Sequence, residues 1–347
     1  MRKIHLASTA ELSDYDEIID VRSPAEFAED HIPGAISAPV LDNEQRARIG
    51  TLYKQVSPFE AQRQGAALIA RNIAQHLETL FRERPREWKP LIYCWRGGQR
   101  SGAMAHIFAQ VGWRVGQLQG GYKNYRRHVV QELETLPANI QFRVICGATG
   151  SGKSRLLQAL SQQNAQVLDL ELLAQHRGSL LGNLPDQTQP AQKMFESRIW
   201  DSLRRIDSRQ PVFVEAESRK IGVLSIPTAL LERIRQTECI ALKTDMSARV
   251  HLLMEDYRHF LDDADLLNRA LAPLLELHGH KIIEQWKEMS QRGEWDLLVS
   301  DLLNRHYDPA YQRSTGNNFP QLKDAENLHL TALDQASLSL AASSLVR

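Results

Sequence analysis

The sequence predicts an α/β protein of two units, each a parallel sheet with flanking helices, the second ending in a mainly helical part. The prediction rests on the pattern of short apolar runs alternating with longer amphipathic ones. It rests also on a break at "ETLPANI" (134–140), and on a glycine-rich loop set between an apolar run and an amphipathic run within 141–160. A chain of 347 residues is long enough for two such units.

In chain order, "EIIDV" (17–21), "PLIYC" (90–94) and "VGQLQGG" (115–121) read as strands, each ending near Gly, Pro or a charge. "AALIARNIAQHLETLFRER" (66–84) and "SGAMAHIFAQVG" (101–112) have helical spacing. Pro137 and Asn139 then interrupt the pattern, so the first unit is assigned to 1–137 and the second to 138–347. The second series opens with "QFRVICGATGSGKSRLLQAL" (141–160). It continues through "AQVLDL" (165–170), "PVFVEAE" (211–217) and "CIALKTD" (239–245), and turns mainly helical from about residue 246.

Composition narrows the classes. Hydrophobic residues make up 42% and charged residues 24%, as in an ordinary globular protein. Formal net charge is zero, so a polyanionic partner must be met by local basic patches. Three cysteines, Cys94, Cys146 and Cys239, are too few and scattered for a disulfide framework or a zinc site. The N-terminal stretch lacks the apolar core of a signal peptide, and no run approaches the roughly 18 apolar residues of a membrane span. The expectation is a cytoplasmic protein with no membrane contact.

"GATGSGKS" (147–154) satisfies G-x-x-x-x-G-K-[S/T] between a strand and a helix. Gly147, Gly150, Ser151 and Gly152 let the backbone wrap a phosphate, with helix N-terminal amides pointing at the anion. Lys153 is placed for the outer phosphate and Ser154 for a magnesium ion. Asp169, Glu171, Glu215 and Glu217 end neighbouring strands, and any of them is a possible acidic partner for that ion. No metal ligand is certain, and no tightly bound cofactor is expected.

"CWRGGQRS" (94–101) poses a different question. A thiol is nucleophilic as its thiolate, which requires a positive local field. The amides of Gly97 and Gly98, the charges of Arg96 and Arg100, and the dipole of a helix opening near Ser101 supply one. Cys94 is therefore the expected nucleophile, with Arg96, Gly97, Gly98, Gln99, Arg100 and Ser101 forming an anion cradle. The spacing Cys94-x5-Arg100-Ser101 also fits phosphatases that form phosphocysteine.

"IIDVRSPAEFAEDHIPGAISAP" (18–39) resembles the opening of rhodanese-like domains, with Asp20, Arg22, Glu26, Phe27, His31, Ile32, Pro33, Gly34 and Ala35 at the family's spacing. With the cysteine loop the resemblance covers about residues 4–130. It implies structural roles for Asp20 and Arg22, and a turn-organising role for His31. Sulfurtransferases of that family usually carry one residue fewer between cysteine and arginine. The wider loop suits a phosphate-sized oxyanion better than a bare sulfur.

The two motifs together, with "DNEQRARIGTLYKQ" (42–55), "GGYKNYR" (120–126), "DLELLAQHRGSLLG" (169–182), "FVEAESRKIG" (213–222) and "HYDPAY" (306–311), resemble the tRNA 2-selenouridine synthase family over nearly the whole chain. Leu172 stands where that family usually has Gly. The resemblance implies a transferase that replaces the sulfur of wobble 2-thiouridine with selenium from selenophosphate, through an S-geranyl intermediate made from geranyl diphosphate. The partner implied is the anticodon region of tRNA, with Lys123, Arg126, Arg127, His176 and Arg177 as expected contacts. Cys94 either attacks selenophosphate or carries selenium as a selenopersulfide. The 147–154 loop binds either the prenyl diphosphate or a nucleotide. Gly65 lines a prenyl pocket by analogy, or simply packs. The alternative functions are a persulfide-carrying sulfurtransferase coupled to an NTPase, and a non-enzymatic regulator with a nucleotide-sensing phosphate loop and a rhodanese-like docking domain.

Overall fold

The computed structural model describes residues 3–346. The chain is mixed α/β with parallel sheets, and the described residues form two compact units, 3–132 with 196–201 and 133–195 with 202–346.

The first unit is built on β1 (His5–Ala7), β2 (Glu17–Asp20), β3 (Ile36–Ser37), β4 (Pro90–Tyr93) and β5 (Gly116–Leu118). They pair in parallel in the order β1-β5-β4-β2-β3. Central β4 is buried along its whole length, as expected of a parallel strand covered on both faces. Helices α1 (Pro24–Glu29), α2 (Asn43–Gln55), α3 (Pro58–Glu78), α4 (Gln99–Val111) and α5 (Gly121–Thr135) connect and cover the strands. α1 opens on a capping box between Ser23 and Glu26, with Pro24 at a position that has no amide to lose. α3 starts earlier than the apolar spacing predicts, because Ser57 caps it and Pro58 follows. It also ends earlier, at the Thr79 cap. Ile19, Val21, Ile92, Met104 and Phe108 form the core with Phe81, Trp88 and Trp113. Neighbouring rings in this aromatic group lie 4.9–5.9 Å apart. Each such apolar side chain contributes roughly 1.5–3 kcal/mol by leaving water.

The second unit opens with β6 (Phe142–Cys146), α6 (Lys153–Gln162), β7 (Gln166–Leu168), α7 (Leu170–Ala174) and α8 (Gln192–Leu203), of which residues 196–201 belong to the first unit. β8 (Val212–Glu215), a short hairpin of β9 (Lys220–Ile221) and β10 (Leu224–Ser225), α9 (Thr228–Arg235) and β11 (Glu238–Thr244) follow. α10 (Met246–Asp256), α11 (Arg258–Asp262), α12 (Ala264–Leu271), α13 (Leu275–Arg292), α14 (Trp295–Leu302) and α15 (Asp308–Asn318) form the helical part. The sheet order is β12-β11-β6-β8-β7, all parallel, where β12 (Glu326–Leu330) is followed by α16 (Gln335–Val346).

β12 departs from the helical expectation for the C-terminal region. "ENLHL" is polar on most positions because it is an edge strand whose outer side faces water. α16 packs Leu338, Ala341, Ala342 and Leu345 on Leu156, Leu157 and Leu160 of α6. A separate cluster of Phe260, Leu267, Leu271, Ile283, Trp286, Leu298 and Leu302 joins the helices α11 to α14. Among the described residues no helix is long and apolar enough to cross a membrane.

Candidate functional site

Cys94 follows β4 at the carboxyl end of the first sheet. β3 lies outside β2 and β5 outside β4, so the loops leaving β2 and β4 part toward opposite edges. A parallel sheet opens a crevice at such a point. Cys94 is buried, and its Sγ accepts a hydrogen bond from Ser101 Oγ at 3.2 Å, in the first turn of α4. Gln117 Nε2 lies 2.9 Å from Gly97 O, 3.3 Å from Gly98 O and 2.9 Å from Ser101 Oγ. Because trans peptides hold C=O and N–H on opposite sides, those bonds turn the amides of Gly98 and Gln99 away from Gln117. Successive amides facing the open side of a loop suit an anion.

The loop is locked from below. Tyr122 N–H donates to Cys94 O at 2.8 Å, and Lys123 N–H donates to Trp95 O at 2.9 Å. Gly121 makes that approach possible: with φ at 57°, a Cβ there would overlap the Cys94 carbonyl and the Gly97 amide. Arg22 is fully buried, paired with Asp20 at 2.6 Å and donating to Asp30 O, with its Cζ 3.9 Å from the Tyr122 ring centroid. Tyr122 Oη in turn donates to Asp30 Oδ2 at 2.8 Å. His31 stacks on Phe27, and its Nδ1 lies 2.9 Å from Phe27 O.

The arginines divide. Arg100 Nη1 is held by Glu26 Oε2 at 2.9 Å, the same carboxylate that closes the α1 capping box. Arg126 pairs with Glu196. Arg96, Lys123 and Arg127 are exposed, and their side chains have no ionic partner among the described residues. Gln99 is also exposed. Gly65 packs α3 on Ile49 of α2, where a Cβ would sit 3.5 Å from Ile49 Cγ2.

In the second unit the 147–154 loop links β6 to α6. Gly150 and Gly152 take φ of 78° and 89°, and Gly152 caps α6. Lys153 Nζ donates to Gly147 O at 2.9 Å, folding the lysine over the loop. Ser151 is buried, and its carbonyl accepts from Thr244 Oγ1 at the end of β11. Ser154 Oγ donates to Glu171 Oε2 at 2.9 Å, and Glu171 N–H donates to Glu215 Oε1 at 2.9 Å. Asp169 caps α7 through Leu172 N–H. Gly178, with φ at 68°, lets the 176–182 turn close on the acids: a Cβ there would lie 2.6 Å from Glu171 Oε1 and 3.1 Å from both Glu217 oxygens. His176 is buried and accepts from Gly178 N–H, while Arg177 stacks 4.8 Å from the Tyr257 ring centroid and donates to Asp256 O.

All four acids are raised above their ordinary range. Burial is the main cause for each. Repulsion from Asp169 adds most at Glu215, and repulsion from Glu171 adds most at Glu217, which is pushed up to about 8. Lys153 pulls Glu171 and Glu217 back toward the charged form. Glu215 Oε2 is buried with no hydrogen-bond partner. Among the described residues no group of three or more His, Cys, Asp and Glu is arranged as a metal centre.

Residues 149–154, Asp169, Glu171, Glu217, His176, Arg177 and Gly178 line one wide cleft, with Glu215 buried behind it. A small apolar pocket adjoins it, lined by Leu181, Phe260, Leu267, Trp295, Leu298, Val299 and Leu302. Thr149, Ser179, Leu253, Tyr257 and Tyr307 belong to both. The glycine-rich loop and the apolar pocket therefore share a rim.

Known proteins match both halves of this arrangement. The model for the tRNA 2-selenouridine synthase AAA domain matches residues 140–292, and that for the rhodanese-like domain matches residues 6–128. A tRNA 2-selenouridine synthase of Aeromonas salmonicida is 30% identical over 329 residues, covering 86% of this chain and 87% of that protein. The chain belongs to the tRNA 2-selenouridine synthase family. The corresponding synthase of Nitrosomonas europaea is 32% identical over 270 residues, 74% of this chain and 68% of the relative. A solved rhodanese-related protein of Thermoplasma volcanium is similar over 36% of this chain and 92% of its own, at 18% identity and a TM-score of 0.24.

Within this family member, sequence reasoning missed Gln117, the Glu26–Arg100 pair and the apolar pocket. A glutamine in the buried strand "GQL" was a legible signal, since buried amides need partners. The pocket had none, because its lining comes from separate helices.

Proposed function

We propose that this chain exchanges the sulfur of wobble 2-thiouridine in tRNA for selenium, by way of an S-geranyl nucleoside. The observation that carries this reading is the shared rim of phosphate loop and apolar pocket in the second unit. A diphosphate with an apolar tail needs both, whereas a nucleotide needs a polar site for its ribose beside the phosphates. The thiouridine sulfur attacks C1 of geranyl diphosphate, the C1–O bond breaks, diphosphate leaves and the N3 proton is lost. Ser154, Glu171 and Glu217 are the residues that would hold a magnesium ion there, and the unpartnered Glu215 oxygen fits a positive charge nearby. Such an ion would offset charge on the diphosphate.

At the first site, Cys94 attacks the phosphorus of selenophosphate, forming S–P and breaking P–Se. The hydrogen selenide anion released adds at C2 and expels geranylthiolate, which takes up a proton, while the selenide proton passes to N3. Water then returns Cys94 and phosphate. The Gly98 and Gln99 amides and the Ser101 hydroxyl support the phosphoryl oxygens and the sulfur. The enzyme would act where tRNA is, in the cytoplasm.

Titration calorimetry on the full chain tests the second site. Each buried methylene is worth about 0.8 kcal/mol, so geranyl diphosphate is expected to bind at least about tenfold more tightly than inorganic pyrophosphate. Binding of a nonhydrolysable ATP analogue without binding of geranyl diphosphate would overturn the assignment.

A further inference from the structure

We propose that Trp95 is the stacking platform for the acceptor base, and that Arg96, Lys123 and Arg127 form the phosphate rim around it. This assignment rests on the proposed function and adds where the RNA meets the first unit.

Trp95 adjoins Cys94 in the chain, yet the cysteine is buried while the indole is 37% exposed. An exposed indole ordinarily costs free energy, and this one is held in place. Its ring lies 5.2 Å from that of Tyr122, and its carbonyl accepts from Lys123 N–H. Tyr122 is itself fixed by Asp30 and Arg22. The platform is therefore rigid, so little conformational entropy is lost when a flat group lands on it.

Cations flank the platform in the chain, Arg96 after Trp95 and Lys123 after Tyr122. Lys123 and Arg127 lie one turn apart on α5 and so share a face. Both are exposed, as is Arg96, and none has an ionic partner among the described residues. Arg100 and Arg126, by contrast, are engaged by Glu26 and Glu196. A rigid aromatic face beside a nucleophile, rimmed by unpaired cations, matches an unstacked nucleotide: a base for the indole and phosphates for the cations. A wobble base in an open anticodon loop offers both, and stacking on Trp95 would bring its C2 toward selenide released at Cys94.

The test uses the full chain and an anticodon stem-loop RNA with 2-thiouridine at the wobble position. Losing one base stack weakens binding roughly 5- to 100-fold, which is the loss expected for Trp95→Ala, with Trp95→Phe restoring most of it. Inorganic pyrophosphate should bind Trp95→Ala as it binds the parent chain. Near-ultraviolet irradiation of the wild-type complex should place the thiouridine adduct on the peptide carrying Trp95. This readout decides the matter even if Trp95→Ala does not fold. Equal RNA affinity of Trp95→Ala and wild type, or an adduct confined to another peptide, overturns the platform while leaving the proposed function standing. No RNA binding by the wild-type chain overturns both.

Discussion

Glu217 illustrates how one side chain carries the tension of the second site. It lies against Glu171 beneath the Gly178 turn, and burial followed by that repulsion pushes its pKa from 4.5 to about 8. Between these values the folded chain holds a proton that the unfolded chain has lost. Stability therefore falls as pH rises through this window and levels off above about 8. Glu217→Gln removes the penalty, so the variant is expected to be more stable than the parent at pH 8, equal near pH 4.5, and flatter between. Urea midpoints across that range check this, and an unchanged slope would show that Glu217 is not the strained group. Gln117 shows the opposite economy at the first site, since one amide satisfies two carbonyls and a hydroxyl and so shapes the cradle.

At the scale of elements, α10 and α15 reach the phosphate loop through one ion pair. Arg249, buried in α10, donates from Nε and Nη2 to Thr149 O at 3.0 and 2.8 Å, and its guanidinium is held by Asp308 of α15 at 2.6 and 2.9 Å. Fixing the Thr149 carbonyl turns the Gly150 amide the other way, away from Arg249. Arg249→Met should weaken pyrophosphate binding about tenfold, and Asp308→Asn, which leaves a neutral hydrogen bond, by less. Calorimetry with pyrophosphate checks both; wild-type affinity in Arg249→Met would contradict the clamp. The sequence carried part of this. "HYDPAY" stood out as a stretch, but the partner of Asp308 lies far off in the chain and no local period announces it. β2, β4, β5, β6, β7, β8, β11 and α4 were legible from apolar runs and helical spacing, whereas β1 and β3, short strands at the edges of the first sheet, were not. β12, short and polar at an edge, was not.

The whole molecule joins two proposed anion sites of different chemistry in one chain, a cysteine loop and the glycine-rich 147–154 loop. Each is placed by the same device, a loop at the carboxyl end of a parallel strand where neighbouring connections diverge. The loops were legible because glycine, lysine, arginine and cysteine at fixed spacing have few other uses. Their supports were not, because Tyr122, Asp30, Arg249 and the pocket-lining leucines are brought together only by folding. The division of labour is tested most directly by mass spectrometry of nucleosides. The purified chain is incubated with 2-thiouridine tRNA, geranyl diphosphate and selenophosphate. Cys94→Ala should accumulate S-geranyl-2-thiouridine without 2-selenouridine, while Lys153→Ala should leave 2-thiouridine unchanged. Selenouridine formed by Cys94→Ala at the wild-type rate, or geranylation undiminished in Lys153→Ala, would contradict the account.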